Sequence, residues 1–95
     1  MTYNIIFTEK AKKEFKKLDK PIKQQIEKFL DKLVNRDDPY TLGSPLEGNL
    51  SSFWKFRVGD YRLIAEIQDD LFVVLMLAVG HCRDIYKKSV ERLGG

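Results

Sequence analysis

Four side chains in the second half of the chain could act together on a phosphate: Lys55, Arg57, Arg62 and His81. Guanidinium groups are planar, permanently charged and able to grip two oxygens at once, which suits them to a phosphodiester. An imidazole moves protons near neutral pH. Two neighbouring guanidinium groups disfavour a third positive charge, and this suits Lys55 to the part of a base. Breaking RNA through its own 2′-hydroxyl needs removal of that hydroxyl's proton, charge to balance the phosphorus centre, and a proton for the leaving 5′-oxygen. Such a scheme calls for no metal and no other cofactor.

The elements that must position these groups follow from the pattern around them. Between Ser52 and Val58 the chain alternates, with Trp54, Phe56 and Val58 pointing one way and Lys55 and Arg57 the other. Gly59-Asp60, glycine first, reads as a two-residue type II′ turn. That turn sets Val58 opposite Tyr61, Arg57 opposite Arg62 and Lys55 opposite Ile64, and directly opposed residues share a face. Like charges facing each other weaken a ladder, so the arginine pair reads as a site for an anion. Asp69-Asp70 reads as a second tight turn, setting Leu63 opposite Met76 and Arg62 opposite Leu77. In that register the odd-numbered residues from Leu71 to His81 join the basic face, and His81 lies near Arg57 and Arg62. The run LFVVLMLAV is apolar at every position, as expected of a strand covered on both faces. Helices would form one cover, and a C-terminal helix or a partner chain the other.

The N-terminal half supplies those helices. Tyr3 to Phe7 reads as a first strand, and Thr8 can cap the helix after it. Ala11, Phe15 and Leu18 make its apolar stripe, while Lys12, Lys13, Lys16 and Lys17 face outward. Pro21 opens a second helix striped by Ile22, Ile26, Phe29, Leu30, Leu33 and Val34. So short a link implies a helical hairpin lying on the sheet. Residues 35–52 are rich in turn formers and read as a loop without a core of its own, long enough to suggest a functional part. Gly43 and Gly48 have phosphate-loop spacing, but no Lys-Ser or Lys-Thr follows, so that motif is rejected. After His81 a final helix would carry Tyr86, Val90 and Leu93 on one stripe. The pattern is of class α+β: an N-terminal strand, a two-helix hairpin on a mainly antiparallel four-stranded sheet, and a short C-terminal helix.

Ninety-five residues suit one domain, spanning 1–95, and an apolar fraction of 43% is enough to build its core. A net charge of +3 permits an acidic partner without demanding one. The single cysteine, Cys82, excludes an internal disulfide framework and fits a reducing compartment. One histidine cannot build a histidine-rich metal site. The apolar run at the N-terminus is too short for a signal peptide or a membrane span, so a cytoplasmic location is the expectation.

With FWKFRVGDYRLIAEI and VGHCRDIY in view, the chain resembles the RelE/ParE superfamily of toxins from type II toxin–antitoxin systems, and within it the RelE-like mRNA endoribonucleases. The resemblance covers nearly the whole chain: a basic strand, a G-x-Y-R-L turn and a terminal G-H-x-x-x-x-Y. It implies an enzyme that cleaves messenger RNA, often in the ribosomal A site, and a cognate antitoxin protein that wraps around the toxin. It further implies Lys55 as general base, Arg62 as the arginine that stabilises the transition state, and Arg57 as a second basic-strand contact. His81 or Arg83 would supply the acid and another phosphate contact, and Tyr86 would orient the substrate. Cys82 departs from the pattern, standing where many relatives carry an arginine.

Plainer readings stand beside these. Arg62 is placed to pair with Glu66 or Asp60, His81 to act as a cap, Tyr86 to fill the core, and the helical lysines to form a solvated face. At the level of function the alternatives are a ParE-like inhibitor of DNA gyrase, which needs no catalytic centre, and a non-catalytic RNA-binding member of the superfamily.

Overall fold

The computed structural model describes residues 3–35, 42–46, 53–81 and 83–85. Strand β1 (Asn4–Phe7) leads into helix α1 (Glu9–Lys16) through Thr8, whose extended backbone lets its Oγ accept from the Ala11 amide at 3.2 Å. Helix α2 (Lys20–Val34) carries Pro21 in its first turn, where a missing N–H costs nothing. Ala11, Ile26 and Leu33 are fully buried, and Phe15, Leu18, Ile22, Phe29 and Leu30 pack around them. The helical hairpin therefore lies on the sheet through the stripes its sequence carries.

The remaining strands are β2 (Gly43–Pro45), β3 (Trp54–Val58), β4 (Tyr61–Gln68) and β5 (Val73–His81), in the spatial order β1-β5-β4-β3-β2. Only β1 and β5 run parallel. The sheet thus has five strands rather than four. The additional one, β2, comes from the segment read as a loop. Its composition is that of an edge strand: proline is tolerated there because the outer N–H has no ladder to join. Gly43 is needed because a Cβ at that position would sit 2.5 Å from the Lys55 carbonyl oxygen and 2.7 Å from the Phe56 ring. The same segment also contributes to a core, since Leu46 is buried with Phe53, Ile64, Ala78 and Ile85 on the face away from the helices.

The first hairpin has the expected register, with Lys55 opposite Ile64, Arg57 opposite Arg62 and Val58 opposite Tyr61. Gly59 has φ of 60° and Asp60 has no positive φ, as a type II′ turn requires. The second hairpin does not follow expectation. Asp69–Leu71 forms a 3-10 turn closed by Phe72 in the left-handed region, so Gln68 pairs with Val73 across a four-residue loop rather than a two-residue turn. Phe72 is held there by the Tyr3 ring, 5.5 Å away edge-on, while the Tyr3 hydroxyl donates to Asp69 Oδ1 at 2.7 Å. The longer loop moves every pair by two positions and leaves the faces unchanged.

A β-bulge then changes them. Ala65 pairs with Met76 and Ile64 with Ala78, so Leu77 is the extra residue of the bulge on β5. One extra residue in a strand exchanges its two faces from that point on. Val74 and Met76 face the helices before the bulge, and Val79 does so after it. The bulge sits where β1 ends, for Phe7 pairs with Met76 and the Thr8 amide donates to the Met76 carbonyl at 3.0 Å. Beyond that point α1 replaces β1 as the neighbour of β5, and Glu14 Oε1 accepts from the Val79 amide at 3.1 Å. Residues 83–85 are helical, and Ile85 is buried. The rest of the expected final helix, with Tyr86, Val90 and Leu93, lies outside the described residues, as does Cys82.

Candidate active site

Three of the expected cations come together. Lys55 and Arg57 alternate with the buried Phe56 on β3 and are exposed on the face away from the helices. Arg62 joins them from β4, directly across from Arg57. Leu42, Gly43, Ser44, Lys55, Arg57 and Arg62 line one surface cleft of about 410 Å³. Opposite Arg62 on its other side stands Gly80, which has no side chain to fill the space beside the guanidinium.

Arg62 is also held in place. Its Nη1 donates to the Gly59 carbonyl at 3.0 Å and to the Tyr61 carbonyl at 2.9 Å, so the guanidinium is anchored on the turn. It does not pair with Glu66, which instead accepts from Gln68 Nε2 at 2.8 Å. Anchoring by Nη1 leaves the Nε and Nη2 donors for an anion, since a guanidinium carries five N–H groups in a fixed fork. Among the described residues neither Lys55 nor Arg57 makes a hydrogen bond or ion pair with a carboxylate. Cations left without counter-charges among the described residues are suited to an external one.

His81 does not join this cluster. After the bulge it pairs with Tyr61, so its ring belongs to the opposite face from Arg57 and Arg62. The two rings meet edge to face with centroids 5.6 Å apart. His81 Nδ1 accepts from the Arg83 amide at 3.2 Å, which puts the proton of a neutral ring on Nε2. The expectation that His81 lies near Arg57 and Arg62 is thereby corrected, and the cause is the single extra residue at Leu77. Arg83 is exposed in the helical turn that begins once β5 has ended, and it does not line the cleft. Tyr86 lies outside the described residues.

Sequence reasoning missed Ser44. It pairs with Lys55 across β2 and β3 and lines the same cleft. The signal was present in the Gly-Ser-Pro triplet, which suits an edge strand as well as a turn. Among the described residues no group of three or more His, Cys, Asp or Glu side chains is gathered as a metal site. Among the same residues, no helix is long and apolar enough to cross a membrane.

The class that fold and cleft define is that of a small α+β protein with three cations gathered beside its first hairpin, and comparison with known proteins places it more closely. Residues 5–86 match the model of the ParE toxin of type II toxin–antitoxin systems, so the chain belongs to that toxin family within the RelE/ParE superfamily. It is 33% identical over 88 residues to toxin RelG of Mycobacterium tuberculosis, covering 93% of this chain and 100% of RelG. It is 29% identical over 96 residues to the mRNA interferase toxin RelE of Escherichia coli K12, covering 98% and 99% of the two chains. The toxin–antitoxin complex RelBE2 of Mycobacterium tuberculosis contains a chain that superposes with a TM-score of 0.77 at 30% identity, over 85% of this chain and 92% of that one. The α+β fold read from the sequence is the fold of these neighbours.

Proposed function

We propose that this toxin is an endoribonuclease that cleaves messenger RNA by attack of the 2′-hydroxyl on the adjacent phosphodiester, and that it does so on the ribosome. The observation that carries this reading is the direct opposition of Arg57 and Arg62 in one cleft with Lys55. That opposition weakens the hairpin it sits in, so its use lies with a ligand. Arg57 and Arg62 hold the non-bridging oxygens, and the charge that builds up on them in the transition state is stabilised by donors already in place. Lys55 takes the proton from the 2′-hydroxyl. Among the described residues the cleft holds no acid for the leaving 5′-oxygen. His81 lies on the Tyr61 side, away from the cleft, and the leaving 5′-oxygen takes its proton from solvent water. A cognate antitoxin binds the protein, a reading supported by the toxin–antitoxin complex RelBE2 that contains its structural relative.

The test is purified protein added to ribosomes programmed with a defined messenger. Cleavage leaving 2′,3′-cyclic phosphate ends, lost in Lys55→Ala and Arg62→Ala variants that remain folded, is the expected result. The family model is named for ParE, and a gyrase inhibitor needs no cation cleft. Inhibited DNA supercoiling together with intact messenger would replace the nuclease reading with that one.

A further inference from the structure

We propose that Ser44 is a further substrate-contacting residue, its hydroxyl donating to a non-bridging oxygen of the phosphate that Lys55, Arg57 and Arg62 hold. This deepens the nuclease reading and rests on it for the identity of the ligand. Ser44 stands directly opposite Lys55 in the β2–β3 ladder, so the two side chains leave the sheet on one face and line one cleft. Ser44 is exposed, and among the described residues its hydroxyl meets no partner. Pro45 follows it, and a residue before proline is confined to extended backbone, which fixes the direction in which the hydroxyl leaves the strand. Gly43 precedes it and lets β2 lie close against the Lys55 carbonyl and the Phe56 ring. Both neighbours of Ser44 thus serve to set this one side chain against the cleft.

The chemistry favours a hydroxyl here. Arg57 and Arg62 already repel each other across the hairpin, and a fourth cation would add to that repulsion. A neutral donor completes the ring of donors around an anion without adding charge. Its O–H can rotate to meet the oxygen, whereas the guanidinium forks are fixed.

The experiment compares the wild-type protein with Ser44→Ala and Ser44→Thr in two measurements: titration with inorganic phosphate followed by NMR at the Lys55 and Arg57 amides, and cleavage of ribosome-bound messenger. Loss of one hydrogen bond to a charged oxygen corresponds to roughly ten- to a hundredfold in affinity. Ser44→Ala should weaken phosphate binding and lower kcat/KM by that factor, and Ser44→Thr should restore both. The unfolding midpoint should not move, because among the described residues the hydroxyl bonds to nothing. Unchanged phosphate affinity in Ser44→Ala overturns the proposal. If the wild-type protein binds phosphate through Ser44 yet cleaves no messenger, the contact stands and the nuclease reading falls instead.

Discussion

Tyr61 pairs with His81 across β4 and β5, and their rings meet edge to face on the side of the sheet that carries the helices. The next residue of β4, Arg62, points the other way and faces Gly80. The histidine and the cations are thus divided between two faces at the same end of the sheet. In the proposed reaction, chemistry at the phosphate therefore falls to Lys55, Arg57 and Arg62.

This division gives an order of severity. Removing a group that stabilises charge in a transition state costs about 10²–10³ in rate. Arg62→Ala should fall in that range and Lys55→Ala, which removes the general base, at about 10²–10⁴, while His81→Ala should lose less than about tenfold, well below what a general acid would cost. Single-turnover cleavage of ribosome-bound messenger by the three variants measures this. A His81 variant as inert as the Lys55 variant would show that substrate binding brings the imidazole into the cleft.

Opposed like charges should trade stability for function. Replacing Arg57 with threonine removes the repulsion from Arg62 and places a β-branched residue in β3. The urea midpoint should rise, by about 0.2–1 kcal/mol of stability, while RNA binding weakens. A drop in stability would mean that the arginine side chain packs favourably on its neighbours.

Binding to single-stranded RNA should depend on salt in proportion to the cations engaged. A slope of roughly 0.7 per neutralised phosphate contact gives about −2 in log K against log salt for the three cations. Each of Arg57→Gln and Lys55→Gln should reduce the slope by about 0.7. Fluorescence anisotropy at several salt concentrations measures this, and a slope unmoved by either change would place the RNA elsewhere.

Glu14 replaces a strand along the part of β5 that β1 does not reach. Changing Glu14 to alanine leaves the Val79 amide without its acceptor, at a cost of about 1–3 kcal/mol for a bond to a charged group. Hydrogen exchange at Val79 should accelerate in Glu14→Ala and recover in large part in Glu14→Gln, whose carbonyl can still accept. Equal exchange in all three proteins would show that α1 shields the amide by burial alone.

A methyl group at Gly43 meets the Lys55 carbonyl oxygen and the Phe56 ring. Gly43→Ala should push β2 off β3, costing about 1–3 kcal/mol and carrying Ser44 away from the cleft. Thermal unfolding and phosphate titration should both register the change. Loss of phosphate affinity with an unchanged melting temperature would place the effect in the cleft alone.

What could be read from residues alone was whatever a local rule governs. Thr8 and Pro21 set the helix starts, the spacing of Ile26 and Leu33 set the buried face of α2, and Gly59-Asp60 set the first hairpin with Arg57 against Arg62. Each depends on residues close together in sequence. Apart from the four-residue loop that replaces the expected Asp69-Asp70 turn, two features did not follow from such rules. The Gly-Ser-Pro segment has the composition of a turn, and it became a strand only because β3 offered an open edge and Gly43 allowed close approach. The second concerns β5, where LFVVLMLAV is apolar at every position, so its periodicity could not reveal a bulge. That bulge arose at Leu77, where β1 ends and α1 takes over with Glu14 on the Val79 amide. The sequence alone determined that three cations share a face. Tertiary packing decided that His81 lies across the sheet from them, because an added residue turns every later side chain over and a strand with no polar side has no means of resisting it.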